Sequence, residues 1–167
     1  MAFKTVTVTP SIPTGEYAAL DVLFNPTKLQ LPSRGAKLVS LYFADTNKQL
    51  NSESLQILFF QKNTHDLGTQ NATADISVAN FRENQFIGIC NMSAESGGVG
   101  PLDNINLRFG DKYHDQTDNN VTGNIDLVLS SIETGNAIYV AAIIATTSTN
   151  PNFSSADSLD IVFGFEC

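Results

Sequence analysis

Two histidines are the first residues in this chain to search for chemistry. His65 precedes Asp66, and His114 precedes Asp115. A histidine beside a carboxylate is the kernel of a general base or a metal site. Zinc takes about four ligands from His, Cys or carboxylate at close range. No His-x-x-x-His or Cys-x-x-Cys accompanies either pair. Both therefore read as histidines on polar loops. The chain has two cysteines. Cys90 sits in the apolar run Ile87-Gly-Ile-Cys90, the setting of an inert packed thiol rather than an activated nucleophile. Cys167 is the last residue, and a bridge between the two stays open. No Gly-x-Ser-x-Gly elbow is present to raise a serine nucleophile.

Paired carboxylates could cleave a glycoside, but such sites want an aromatic-walled groove. The chain has no tryptophan, eleven Phe and four Tyr, with most Phe on apolar faces; Tyr113 is the best-placed platform. Gly97-Gly-Val-Gly100 lacks the Lys-Ser/Thr of a phosphate loop and reads as a turn. Asp111, Asp115 and Asp118, followed by Asn119 and Asn120, form an oxygen-rich cluster of the type that holds calcium. It lacks the EF-hand order, and clustered Asp and Asn also mark turns. The expectation is no catalytic residue, no cofactor and no assigned metal ligand. Asp111, Asp115 and Asp118 are weak candidates for a structural cation, and the chain is expected not to be an enzyme.

The elements that position these loops are strands. Val6 and Val8 alternate with threonines, Ile105, Leu107 and Phe109 with Asn106 and Arg108, and Leu159, Ile161, Phe163 and Phe165 share one face. Ile125, Leu127 and Leu129 share another face. Leu38–Phe43, Leu55–Phe60 and Ile138–Ile144 are apolar on both faces. Such runs predict central strands covered on both sides, by a second sheet and by a loop or a neighbouring subunit. Tyr17–Phe24, Ala74–Val78 and Phe86–Cys90 complete a set of about ten strands, in the range of a sandwich or barrel. Pro26 and Pro32 bracket a short edge segment. One helical turn fits 79–84, started by Asp75 or Ser77. Long polar loops run over Asp45–Ser54, Lys62–Thr73, Asn91–Asn104, Gly110–Gly123 and Thr146–Asp157. The fold class is all-β: a jelly-roll-like β-sandwich over 1–167 as one domain, with at most one short helical turn. Leu23, Leu41, Ile57, Phe59, Leu127, Val140, Ile161 and Phe163 are expected in its core.

Composition restricts the partners. Seventeen acidic and nine basic side chains give a formal charge of −8, and no two basic residues are adjacent. Nucleic acid and anionic membrane both want clustered Lys and Arg, so neither is expected to bind. The opening residues hold no apolar core of roughly 7–15 residues such as a signal peptide needs. The longest apolar run, Ala137–Ala145, is about half the length of a membrane span. Charged residues are only 16 %, so the surface consists largely of Asn, Thr, Ser and Gln.

Five pieces in order resemble a family of small tailed-phage virion structural proteins, described as capsid decoration, cement or head-fibre-like proteins. They are Leu20-Asp-Val-Leu-Phe24; Leu55-Gln-Ile-Leu-Phe-Phe60 followed by Leu67-Gly-Thr-Gln-Asn-Ala72; Asp75-Ile-Ser77; Ile138-Tyr-Val-Ala-Ala-Ile143; and Ser158-Leu-Asp-Ile-Val-Phe-Gly-Phe165. The chain departs from the family pattern in its longer loops at Asn91–Asn104 and Gly110–Gly123. The resemblance implies a β-sandwich that binds the outside of an assembled phage capsid and stabilises it, made in the bacterial host cytoplasm. It also implies a homotrimer contacting the major capsid protein lattice. The alternative is a receptor- or glycan-binding module of a head or tail fibre. The family defines no functional residue that carries over.

Overall fold

The computed structural model describes residues 2–46, 49–50, 54–92, 106–109, 127–147, 150–156 and 159–167. Among these residues eleven strands and one helix run in order: β1 (Phe3–Val8), β2 (Gly15–Glu16), β3 (Val22–Gln30), β4 (Gly35–Asp45), β5 (Ser54–Phe60), α1 (Val78–Glu83), β6 (Phe86–Met92), β7 (Asn106–Phe109), β8 (Leu127–Ser130), β9 (Ala137–Thr146), β10 (Asn152–Phe153) and β11 (Leu159–Glu166). One sheet has the order β1-β11-β4-β7, with β8 also on β4; the other has the order β3-β9-β5-β6. All these pairings are antiparallel. The two-residue strands β2 and β10 pair separately. The chain is an all-β sandwich.

Alternation sets which face meets which. Ile161, Phe163 and Phe165 of β11 and Leu38, Leu41 and Phe43 of β4 point inward from one sheet. Ile57 and Phe59 of β5 and Ile138, Val140, Ala142 and Ile144 of β9 point inward from the other. The sheets meet where Phe59 and Phe163 pack edge to face, with ring centroids 6.1 Å apart. Seven of the eight expected core residues are buried there. Leu127 is the exception: it is half-buried on the four-residue edge strand β8, lying over Gly88 at the rim of the core.

Three expectations change on contact with the structure. Tyr17–Phe24 is not one strand, because Leu20 takes a left-handed conformation (φ 72°) and the chain turns before Val22. Pro26 does not separate two segments. β3 runs through it as an edge strand, with register shifts between Val22 and Phe24 and between Phe24 and Thr27 that accommodate the missing N–H. Ala74–Val78 is not a strand, since the amides of Asp75 and Ile76 both bond Leu67 O and hold the segment against a loop, and Val78 opens α1. The helical turn appears as α1, and Ser77 caps it, its hydroxyl accepting from Asn80 N at 3.2 Å.

Of the three runs apolar on both faces, β5 and β9 are covered twice and β4 once. Ser40 of β4 is exposed and Val39 and Tyr42 are half-buried. On β5 and β9 the second cover is the chain's own 61–77 segment with α1. Leu67 packs there in a small apolar cluster with Val22, Leu58, Phe60 and Ala141, joined by Ala74, Ile76, Phe81 and Tyr139. The outer faces of these two strands therefore need no neighbouring subunit.

Candidate functional site

The His65-Asp66 loop belongs to that cover. Asn84, fully buried after α1, accepts the amides of Thr64 and His65 on Oδ1 at 3.0 and 2.9 Å and donates Nδ2 to His65 O at 2.6 Å. Lys62 N donates to Asn84 O at 3.1 Å. Asn25 repeats the device at the other end of the loop, accepting from Leu67 N and donating to Gly68 O, both at 2.8 Å. The His65 ring pairs with the exposed Glu83 of α1 at 2.7 Å, so its carboxylate partner is on the helix and not the adjacent Asp66. Phe60, Phe81 and Phe86 pack their rings against one another, 5.2–5.7 Å apart. Sequence reading missed Asn84 and Asn25 because an isolated asparagine carries no motif. Only their bonds to the loop main chain distinguish them from the many surface asparagines.

A second locus lies where the turn after β3 meets the turn between β8 and β9. Arg34, Ile132, Glu133, Thr134 and Asn136 line a cleft of about 230 Å³. Main-chain bonds fix both walls: Leu31 N to Asn136 O at 2.9 Å and Ser131 N to Arg34 O at 2.8 Å. The buried Ser131 hydroxyl donates to Ala137 O at 2.6 Å and accepts from Glu133 N at 3.1 Å, which folds the turn tightly. Gln61 ties the same turn to β5, Nε2 donating to Ser130 O at 2.5 Å and Oε1 accepting from Ile132 N at 3.2 Å. Tyr139 donates its hydroxyl to Glu133 Oε1 at 3.4 Å; burial first and the Glu133 charge second push the phenol above its usual pKa. The lining offers one cation, one anion, a hydroxyl, an amide and an apolar side chain. That set can hydrogen-bond a polar ligand. Among the described residues that line it there is no His, Cys or Ser.

The remaining sequence candidates separate clearly. Asp111, Asp115 and Asp118, together with Tyr113, His114 and the Gly97–Gly100 turn, lie outside the described residues. Among the described residues no group of three or more His, Cys, Asp or Glu could hold a metal ion. Cys90 is buried and Cys167 exposed, and no disulfide joins them. Compared with known proteins, the chain matches no family model, no curated protein and no solved structure.

Proposed function

We propose that the chain is a virion structural protein, a capsid decoration (cement) protein that binds the outside of an assembled phage capsid. The observation that carries this reading is the way the strands nest. β1 pairs β11, β3 pairs β9, β4 pairs β8 and β5 pairs β6, one pair inside the next along the chain. We read that order as a jelly roll, a fold common in shells and their attachments. The pieces that resemble the phage family fall on β3, β5, β9, β11 and the 61–77 cover. Such a protein acts mechanically: a chain that binds only the assembled lattice stabilises that lattice by mass action. A homotrimer on the major capsid protein lattice is part of the proposal, with no catalysis and no cofactor. The polar cleft at Arg34 and Glu133 favours a second reading, a receptor- or glycan-binding module of a head or tail fibre. Copy number and position in purified particles decide between them. Many copies spread over the capsid support decoration; a few copies on a fibre, with glycan binding abolished by Arg34→Ala, support the second.

A further inference from the structure

Among the described residues β1 pairs β11 on one side and has no strand on the other. Ala2 N donates to Cys167 O at 3.0 Å and Cys167 N to Ala2 O at 3.1 Å, so these two residues form a doubly bonded pair. Antiparallel ladders alternate bonded and non-bonded pairs, and the register from Phe3↔Glu166 to Val8↔Ile161 has no shift. Lys4, Val6 and Val8 therefore turn their N–H and C=O groups toward β11. Phe3, Thr5 and Thr7 turn theirs outward, where among the described residues no backbone hydrogen bond occupies them. Their side chains are exposed as well, Phe3 to 73 %.

The other edges are blunted. β3 carries Pro26 and two register shifts, β7 and β8 have four residues each among the described ones, and β6 has Gly88 as its third residue and a shifted register against β5. Natural edges use such devices to prevent strand addition. β1 has only Lys4.

We infer that β1 is a self-association edge, and that its occupant is β1 of a second copy, antiparallel about a twofold axis at Thr5. In that register Phe3 stands opposite Thr7 of the second copy, Lys4 opposite its Val6, and Thr5 opposite Thr5. Each outward donor then meets an outward acceptor, and no two like charges face each other directly. The Phe–Thr and Thr–Thr pairs are of the cross-strand types that stabilise sheets. Charge favours this edge for a second copy. The chain carries −8 overall, but Phe3–Val8 contains one lysine and no acid, so two copies can approach there without opposing carboxylates. The contact is twofold and independent of the proposed trimer. A chain forming only the edge contact is a dimer, and one forming both about perpendicular, intersecting axes is a hexamer.

The test is a charge exchange at the axis. Thr5→Lys and Thr5→Glu each set like charges opposite one another at an exposed position, so each variant alone loses the association while keeping the wild-type melting temperature in dilute solution. Mixing the two restores it. Thr5→Pro is the second probe, because it removes an outward N–H and leaves the β11 ladder bonds in place. In the wild type, amide exchange at Phe3, Thr5 and Thr7 slows as concentration rises, while Lys4 and Val6 are protected throughout. Sedimentation showing only monomer or only trimer overturns the inference. So does a dimer or hexamer indifferent to all three Thr5 variants. An edge that takes up an unrelated strand while the chain itself stays monomeric overturns the choice of occupant.

Discussion

Asn84 commits both ends of its side-chain amide to the main chain of Thr64 and His65. Replacing it by leucine leaves two amides and a carbonyl without partners, and each such group costs about 1–3 kcal/mol when buried. Because those groups are part-buried and can reach water, Asn84→Leu is expected to lower the unfolding free energy by about 3 kcal/mol in urea titration. A loss below about 1 kcal/mol would show that the loop is held by its side chains instead. Tyr17 gives a residue-scale pH effect. Its hydroxyl donates to Pro13 O at 2.8 Å, and burial, then the Asp21 carboxylate, push its pKa up to about 12. The folded value lies above the unfolded value of 10.0, so the contribution is complete below pH 10 and is lost as pH rises toward 12. Alkaline denaturation of the wild type is therefore expected to steepen across that window, and Tyr17→Phe to flatten it. An equal slope in both proteins would place the alkaline loss elsewhere.

At the scale of elements, the 61–77 segment with α1 acts as a cover over β5 and β9. Leu67 is its buried leucine, resting in the cluster with Leu58 and Phe60. Leu67→Ala should cost about 2–4 kcal/mol by chemical denaturation, the range for a core leucine; an exposed rim leucine would cost close to nothing. Gly68 beside it has φ +149°, and a Cβ there would stand 2.7 Å from Asp75 Oδ1, so Gly68→Ala should destabilise the same cover. This is also where the sequence stopped being legible. β5, β9 and β11 announce themselves by alternation and β-branched content, since a two-sheet core leaves a period of two on every strand it uses. The 61–77 cover has no period, because Asn25 and Asn84 hold it from distant strands and turns by bonds to main chain. Ala74–Val78 looked like a strand for its β-branched residues, yet tertiary bonds to Leu67 O overrode that preference. The Arg34–Glu133 cleft was illegible for a related reason: its two walls are about a hundred residues apart and carry no shared motif.

Over the whole molecule, the longest-range pairing closes the fold. β11 lies between β1 and β4, and Phe3 pairs Glu166 from the opposite end of the chain. β11 also contributes the buried Leu159, Ile161, Phe163 and Phe165, and Gly164 lets it approach β4 where a Cβ would collide with Ser40 Oγ. β1, on the same sheet, contributes only Val8 as a buried side chain, with Val6 half-buried. The two terminal strands should thus differ sharply in what their removal does. Without β11, β1 and β4 lose their shared neighbour, and Phe59 loses the ring it packs against across the sandwich. Deleting residues 159–167 is therefore expected to abolish cooperative unfolding and to leave dye-binding apolar surface. Deleting residues 2–8 removes an edge, and should leave a cooperative, less stable sandwich with the β-type circular dichroism of the full chain. Because the central strand of one sheet pairs only across such separations, loop-closure entropy must be met before most native contacts form. Refolding of the full chain is expected in the roughly millisecond-to-second range of all-β domains. Cooperative folding of the chain that lacks β11 would mean that the second sheet and its cover form an independent unit, contrary to a core shared across both sheets.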